Sequence, residues 1–167
     1  MNWKIPAAAA TAVLVLGAIS PARAANDESF VKTAVQGDVS EMTLGKLAAG
    51  RGSSDGVRAY GRMLAQDHAQ GRDQALQVAR TVGAHPPQKP TGEADREYRK
   101  LQGLSGAAFD REFVRYMVHD HRRDIQDFEK QAAKRGPAAS LARDGLPMLH
   151  KHLDVALKLS REQAGRG

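Results

Sequence analysis

The sequence contains no cysteine. This absence excludes disulfide bonds, thiolate metal ligands and a lipid attached to an N-terminal cysteine, so the fold must be held together by core packing. Aromatic residues make up only 5% of the chain. After the N-terminal segment there is no run of roughly 18 apolar residues, the length that a membrane-spanning helix needs. No segment alternates apolar and polar residues as a strand would, which predicts an all-α protein.

The N-terminal segment has the pattern of a secretory signal peptide. A lysine precedes an apolar stretch, Ile5–Ile19, and Ala22 and Ala24 are the small residues that a signal peptidase recognises. The stretch is too short to anchor a protein well in a membrane. We therefore expect that residues 1–24 are a signal peptide and that residues 25–167 form one domain. This domain would be exported to the periplasm or the extracellular space, with no stable membrane anchor after cleavage.

The distribution of charge disfavours a nucleic acid partner. The formal net charge of the chain is +6, and it becomes +4 once residues 1–24 are removed. Basic and acidic residues are interleaved along the sequence, whereas a nucleic-acid-binding surface usually shows a clustered basic stripe. We expect no nucleic acid partner, and the sequence carries no signal for a protein partner or a homo-oligomer.

Apolar residues recur with helical period in four segments. They predict helices near 27–50, 55–82, 107–135 and 137–161, with Ser54 or Asp55 as the N-cap of the second and Ser105 as the N-cap of the third. Pro147 lies inside the fourth segment, so we expect a kink near Asp144 or a fresh helix start there. A proline-rich link with a short polar turn at Asp95–Leu101 joins the second and third helices and is long enough to cross the bundle. This pattern is typical of a ferritin-like four-helix bundle with one long crossover connection.

Each predicted helix carries one polar residue on or near its apolar face. Successive residues are 100° apart around a helix, which places His68, His121 and His152 within about 35° of the centres of their apolar stripes. Glu41 lies about 60° from the centre of a less well-defined stripe. His119, in contrast, falls on the solvent side. All four inward residues lie near the middle of their helices, so we expect Glu41 and the three histidines to meet at one level.

Three interpretations of this cluster are open. It could be a hydrogen-bonded polar layer that fixes the register of the helices, with Glu41, Asp67 and Asp120 as acceptors. It could be a metal site for zinc, iron, copper or manganese, in which the same two aspartates orient the ligands. It could also line a cleft for a small ligand. The remaining histidines, His85, His119 and His150, are expected on the surface.

Three stretches of the sequence resemble a known family. They are "EMTLGKLAAGRGSSDGVRAYGRMLAQDHAQGRDQALQVAR", "LQGLSGAAFDREFVRYMVHDHRRDIQDFEKQA" and "LPMLHKHLDVAL", and they resemble the bacterial exported family known as domain of unknown function 4142. The resemblance covers essentially the whole exported part. It implies a ferritin-like fold, export and no established activity, and it supports six positions as candidates for the site: Glu41, Asp67, His68, Asp120, His121 and His152.

The sequence departs from the ferritin-like di-iron pattern. That pattern needs Glu-x-x-His on two helices, but the residues three before the inward histidines are Ala65, Val118 and Leu149. A di-iron oxidase is therefore not expected. The missing carboxylates, together with export, also disfavour a DNA-protecting mini-ferritin.

Our leading hypothesis is an exported, non-enzymatic helical protein of the cell envelope or the stress response. It would hold one metal ion at Glu41, His68, His121 and His152. The alternative is a metalloenzyme that performs redox or hydrolytic chemistry at the same residues. A catalytic metal needs a path for substrate, so the enzyme hypothesis requires a cavity that reaches His68 and His121.

Overall fold

Five α-helices and no strand make up the part of the chain that the computed structural model describes, residues 21–165. The helices are α1 (Pro21–Arg51), α2 (Asp55–Val82), α3 (Gly92–Gln102), α4 (Gly106–Ala132) and α5 (Pro137–Ala164). The four long helices form the bundle, which confirms the predicted all-α fold. Within the described residues no helix is both long and apolar enough to cross a membrane. The predicted signal peptide lies outside this range except for its last four residues, which begin α1.

The directions of the helices follow from the residues that share the core. One apolar cluster contains Leu44 from late in α1, Val57 from early in α2, Phe109 from early in α4 and Leu159 from late in α5. Consequently α1 and α5 run in one direction, and α2 and α4 in the other. The connection between α2 and α4 must therefore travel the length of the bundle, as predicted for a single crossover.

The helix ends around this connection are defined by local hydrogen bonds. The Ser54 hydroxyl accepts a bond of 3.3 Å from the Val57 backbone N–H, as predicted for an N-cap. α2 ends at Gly83, whose φ of 73° is left-handed and favours glycine. The Asp110 carboxylate accepts bonds from the backbone N–H groups of Ser53 and Ser54, at 2.7 and 2.8 Å. Asp110 thus ties the start of α4 to the α1–α2 connection.

The long link and α5 differ from the sequence prediction. Only a short polar turn was expected at Asp95–Leu101, but the link contains the 11-residue helix α3. Thr91 caps this helix by accepting a bond of 3.1 Å from the Ala94 N–H, and Ala94 and Leu101 of the helix are buried. α5 continues through Pro147, so no second helix starts there. α4 ends at Ala132, three residues earlier than predicted.

Two glycines allow α1 and α2 to pack closely. A Cβ atom on Gly61 would lie 2.5 Å from the Ala49 backbone nitrogen and 2.6 Å from the Gly45 carbonyl oxygen. A Cβ on Gly45 would lie 2.8 Å from the Gly61 carbonyl oxygen. Because backbone atoms cannot move aside cheaply, the crossing of these helices requires glycine on both sides.

The apolar core is divided into two clusters. The larger cluster includes Tyr60, Phe109, Phe113 and Met117. The smaller cluster is built mainly from alanine and valine: Val31, Val35, Ala75, Ala79, Ala84, Ala138 and Leu141. On α1, α2 and α5 three buried polar residues, Glu41, His68 and His152, lie between the positions that join one cluster and those that join the other. The middle of the bundle is therefore a polar layer.

Candidate metal centre

Three histidines from three helices meet in the polar layer. α2 supplies His68, α4 supplies His121 and α5 supplies His152, and all three are at most 1% exposed. Their ring centroids lie 5.1 to 5.9 Å apart. One nitrogen from each ring lies within 4.8 Å of the other two. Such a convergence of imidazoles is the arrangement that a metal ion bound by histidine needs.

Helical geometry explains which histidines enter this layer. His121 and His119 are two residues apart on α4, so their side chains point about 200° apart around the helix. His121 is fully buried, whereas His119 is exposed. The same spacing separates buried His152 from exposed His150 on α5. His85 is also exposed.

Outer partners fix the orientation and the proton of each ring. His68 Nδ1 lies 2.8 Å from Asp38 Oδ1, and His152 Nε2 lies 2.9 Å from Asp67 Oδ2. His121 Nδ1 lies 3.1 Å from the Met117 carbonyl oxygen. A carbonyl or carboxylate oxygen accepts, so each of these nitrogens carries the hydrogen and donates it. When such a ring is neutral, its opposite nitrogen is left with a lone pair.

Those opposite nitrogens have no hydrogen-bond partner. His68 Nε2, His121 Nε2 and His152 Nδ1 are all buried and unpaired. Glu41 approaches two of the rings: its Oε2 lies 3.1 Å from His68 Nε2, and its Oε1 lies 3.2 Å from His121 Nδ1. Neither contact has hydrogen-bond geometry, and Glu41 Oε1 is itself unpaired. Buried polar atoms are nearly always paired, so four unpaired atoms in one layer require an explanation.

The electrostatics of the layer keep two of the imidazoles neutral. Burial, together with the neighbouring histidines, holds the pKa of His121 well below its ordinary value. Burial also lowers the pKa of His152 to about 4. Burial acts to raise the pKa of Asp67, but bonds from His152 and Lys151 outweigh it and the net shift is downward. Neutral imidazoles beside an ionised carboxylate are in the state that binds metal.

The six positions marked by the sequence do not all join one group. His68, His121 and His152 form the nitrogen cluster, and Asp67 orients one of them through the bond to His152. Asp120 is buried, but it is bonded to Arg123 and grouped with Glu41 and Asp124. Glu41 also forms a group with Asp38 and His68. Glu41 therefore lies between the nitrogen cluster and a carboxylate cluster.

Asp38 is the site residue that sequence reasoning missed. It is the partner of His68, and its side chain is only 12% exposed. Burial raises its pKa, although the bond to His68 opposes this shift. The available signal was its spacing, because Asp38 precedes Glu41 by three residues and so shares a helix face with it.

A cleft of about 620 Å³ leads from the surface to this layer. It reaches Glu41, Asp38 and His68, but His121 and His152 are not among its lining residues. Its walls carry eight acidic residues and two basic ones: Asp38, Glu41, Asp67, Glu93, Asp120, Asp124, Asp127 and Asp144, with Arg123 and Lys151. The cleft thus gives cations an acidic route to one side of the site.

Comparisons with known proteins agree with the fold. A family model described as domain of unknown function (DUF4142) matches residues 16–159. The chain belongs to this family. The resemblance seen in the sequence is therefore confirmed. No curated protein matches the chain.

One solved structure resembles this member of the DUF4142 family. It is a DUF305 fragment from Deinococcus radiodurans, which is 18% identical and has a TM-score of 0.71. The alignment covers 81% of this chain and 95% of the fragment. At this identity the likeness supports the helical fold and does not extend to the site.

Proposed function

We propose that this DUF4142 protein binds one transition metal ion at His68, His121 and His152, with Glu41 as a neighbouring carboxylate ligand. The observation that carries the proposal is the set of three buried, unpaired imidazole nitrogens from three helices. Each ring is already held from its far side by a carboxylate or a carbonyl group. Metal-binding histidines are typically held in this way.

The energetics favour a metal over a purely structural polar layer. A buried acceptor without a partner costs about 1–3 kcal/mol. A structural layer would keep this cost at three nitrogens and at Glu41 Oε1, whereas one cation would satisfy several of them together. Three imidazoles and a carboxylate suit zinc, copper, iron or manganese, and nitrogen-rich sites generally favour copper and zinc among divalent ions.

We also propose that the protein acts outside the cytoplasm and as a binding protein. The apolar N-terminal segment that ends at Ala24 supports export. A role in binding the ion, rather than in catalysis, is supported by the burial of the histidines, two of which do not reach the cleft. The physiological role would be in the envelope or in the stress response.

Thermal unfolding with and without metal tests the site. Wild type, His121→Ala and His119→Ala are each melted with chelator and with added zinc, copper, iron or manganese. Because metal binds only the native state, saturation at 100 times Kd should stabilise wild type by about 2.7 kcal/mol. His119→Ala, which alters an exposed residue of the same helix, should gain as much, and His121→Ala should gain little. If no metal raises the wild-type Tm, the polar-layer interpretation replaces this one.

Elemental analysis identifies the ion. Protein purified without a histidine tag from its native envelope should contain close to one equivalent of a single transition metal. N-terminal sequencing of the same sample tests export, since cleavage after Ala24 would leave Ala25 as the first residue. Retention of residues 1–24 would contradict export with cleavage, and a metal-free preparation that does not take up any ion would contradict the site.

The acidic cleft favours a second candidate function, a metalloenzyme. It brings solvent to His68 and Glu41, so an ion bound there could have an open position for substrate. Gly37 lines the cleft, and a Cβ at this position would meet nothing nearer than Asp124 Oδ2 at 4.0 Å. Gly37→Leu should therefore narrow the cleft beside Asp124 while the ion still binds. If azide alters the visible spectrum of the copper-loaded wild type but not of Gly37→Leu, the position is open; no effect on wild type would exclude the enzyme.

A further inference from the structure

Three carboxylates form a separate group on the wall of the cleft. α1 supplies Glu41, and α4 supplies Asp120 and Asp124, which share a helix face because they are four residues apart. One oxygen from each lies within 4.8 Å of the other two. All three residues line the cleft, so an ion could reach them from solvent.

Glu41 provides an independent sign that this group lacks a partner. Its side chain is 2% exposed, yet Oε1 has no hydrogen bond. Glu41 lines the solvent-connected cleft, and a buried carboxylate oxygen without a hydrogen-bond donor is a ready cation ligand.

The charges around the group are unbalanced. Its neighbouring cation is Arg123, which bonds to Asp120, approaches Asp124 Oδ1 at 3.7 Å and also pairs with Glu93. The Arg123 side chain is 44% exposed, so its charge is partly screened by water. Burial, and then the charge of Asp120, raises the pKa of Asp124 to about 7. Burial likewise raises the pKa of Asp120 and of Glu41. One shared guanidinium therefore leaves the three carboxylates short of positive charge.

We propose that Glu41, Asp120 and Asp124 form a second cation site, which takes an oxygen-preferring divalent ion such as Mn²⁺ or Ca²⁺. Carboxylate oxygens suit hard cations, whereas imidazoles suit zinc and copper, so the two clusters select different ions. Glu41 lies between them and could contribute one oxygen to each ion. The second site does not require the histidine site to be filled, and it therefore goes beyond the proposed function.

Terbium luminescence tests this site without involving the histidines. Tb³⁺ is a hard cation that prefers oxygen ligands, and Tyr116 lines the same cleft and can sensitise its emission. Chelator-treated protein is titrated with Tb³⁺, and Mn²⁺ and Ca²⁺ are then added as competitors. We expect saturable binding of one Tb³⁺ that both ions displace. Wild type that shows no saturable emission would overturn the proposal.

Two variants distinguish binding at these three carboxylates from nonspecific attraction of cations to the acidic cleft. Asp124→Asn removes one ligand at nearly constant shape and should weaken Tb³⁺ binding at least tenfold. Asp127→Asn is the matched control, because Asp127 lies on the same helix and the same cleft but is 54% exposed and bonded to Lys130. It should change the affinity less than twofold. Equal losses in both variants would overturn the proposal.

Arg123→Gln should change the affinity for Tb³⁺ in the opposite direction to Asp124→Asn. The Arg123 guanidinium supplies positive charge to the three carboxylates. If a bound cation can supply this charge instead, removal of Arg123 should strengthen Tb³⁺ binding several-fold. Weaker binding would show that Arg123 only holds a structural cluster and would overturn the proposal. Far-UV circular dichroism verifies that each variant is folded.

The two proposed sites can be contradicted by different experimental outcomes. His152→Ala should abolish stabilisation by zinc or copper and leave Tb³⁺ binding within twofold of wild type. Wild type that binds Tb³⁺ but neither zinc nor copper would remove the histidine site alone. Wild type that binds zinc but no Tb³⁺ would remove the carboxylate site alone.

Discussion

The Asp38 carboxylate lies between His68 and the bare backbone of Gly71. Its Oδ1 accepts the bond from His68 Nδ1 at 2.8 Å. The same oxygen lies 2.8 Å from the place that a Cβ on Gly71 would occupy. A side chain at position 71 would therefore displace the group that holds the His68 ring, and its proton, in place.

Gly71→Ala should weaken metal binding without unfolding the protein. Loss of a carboxylate that orients a metal-binding histidine typically costs 10- to 100-fold in affinity, and we expect a loss of about this size here. The free energy of unfolding should fall by no more than about 1–3 kcal/mol, because the buried His68 Nδ1 loses its acceptor while alanine favours helix more than glycine does. Calorimetric titration with zinc measures the affinity. Gly50→Ala, where a Cβ meets nothing within 4 Å, is the control; equal affinity in both variants would contradict the role of Asp38.

Glu97 gives the protein a pH dependence that is unrelated to metal. Burial, and a hydrogen bond with the Glu112 carboxyl, raise the pKa of Glu97 from 4.5 to about 7. Bonds from Arg115 and Lys100 keep the pKa of Glu112 at about 2. Near pH 6 the folded protein therefore binds a proton at Glu97 that the unfolded chain does not bind. Stability from this group is full below pH 4.5 and is lost as pH rises through about 7.

Glu97→Gln should remove this dependence, because the amide imitates the protonated acid. The free energy of unfolding of the variant minus that of wild type should increase by about 1 kcal/mol from pH 5 to pH 8, a figure that allows for solvent screening. Urea unfolding at the two pH values, with chelator present, measures it. Glu129→Gln on the exposed surface of α4 is the control for loss of one acidic group. A constant difference between Glu97→Gln and wild type would contradict the shared proton.

At the scale of the helices, α1 and α2 depend on glycine at their crossing. Gly61→Ala places a Cβ 2.5 Å from the Ala49 backbone nitrogen, so the helices must move apart. Overpacking of this kind usually costs about 1–3 kcal/mol, and we expect the upper part of that range because backbone contacts cannot yield. Chemical denaturation measures the loss. Gly50→Ala on α1 should be neutral or slightly stabilising; similar losses in both variants would mean that helix propensity, not the crossing, sets the effect.

Helical period predicted the four long helices because each has one apolar face. The same period failed for α3, whose composition is polar and which follows Pro90. A local signal was nevertheless present, since Thr91 is a good N-cap and Glu93 and Asp95 lie in the first turn. Helix identity was therefore predictable from the pattern in long segments, but only from capping in the short one.

For the candidate site, the sequence predicted the helix face on which each residue lies and its position along the length of the bundle. Those two quantities come from one helix at a time, and they placed His68, His121 and His152 together. Ring orientation depends on partners from other helices, such as Asp38 for His68, so it could not be derived from periodicity. Glu41 and Asp120 were assigned to one cluster from the sequence, whereas packing against α4 groups both with Asp124.

At the scale of the whole molecule, the two apolar clusters should differ in local stability. The smaller cluster consists mainly of alanine and valine, whereas the larger one buries tyrosine and phenylalanine. Burial of less apolar area gives a lower free energy of local opening. In metal-free protein, amides at Ala75–Ala79 and Ala138–Ala142 should exchange faster than those at Tyr60–Leu64 and Phe113–Met117. Hydrogen exchange with mass spectrometry measures this; uniform protection would contradict it.

The position of the polar layer between these clusters has a consequence for the lifetime of the protein. An ion held by α2, α4 and α5 would link the end of the bundle with the smaller cluster, which should open more easily, to the end with the larger cluster. Without it, the start of α5 and the end of α2 would be the first segments offered to a protease. Limited digestion should therefore cut the metal-free form there and spare the metal-bound form. A cell whose proteases cut proteins that open in this way would then keep the protein only while metal is in supply.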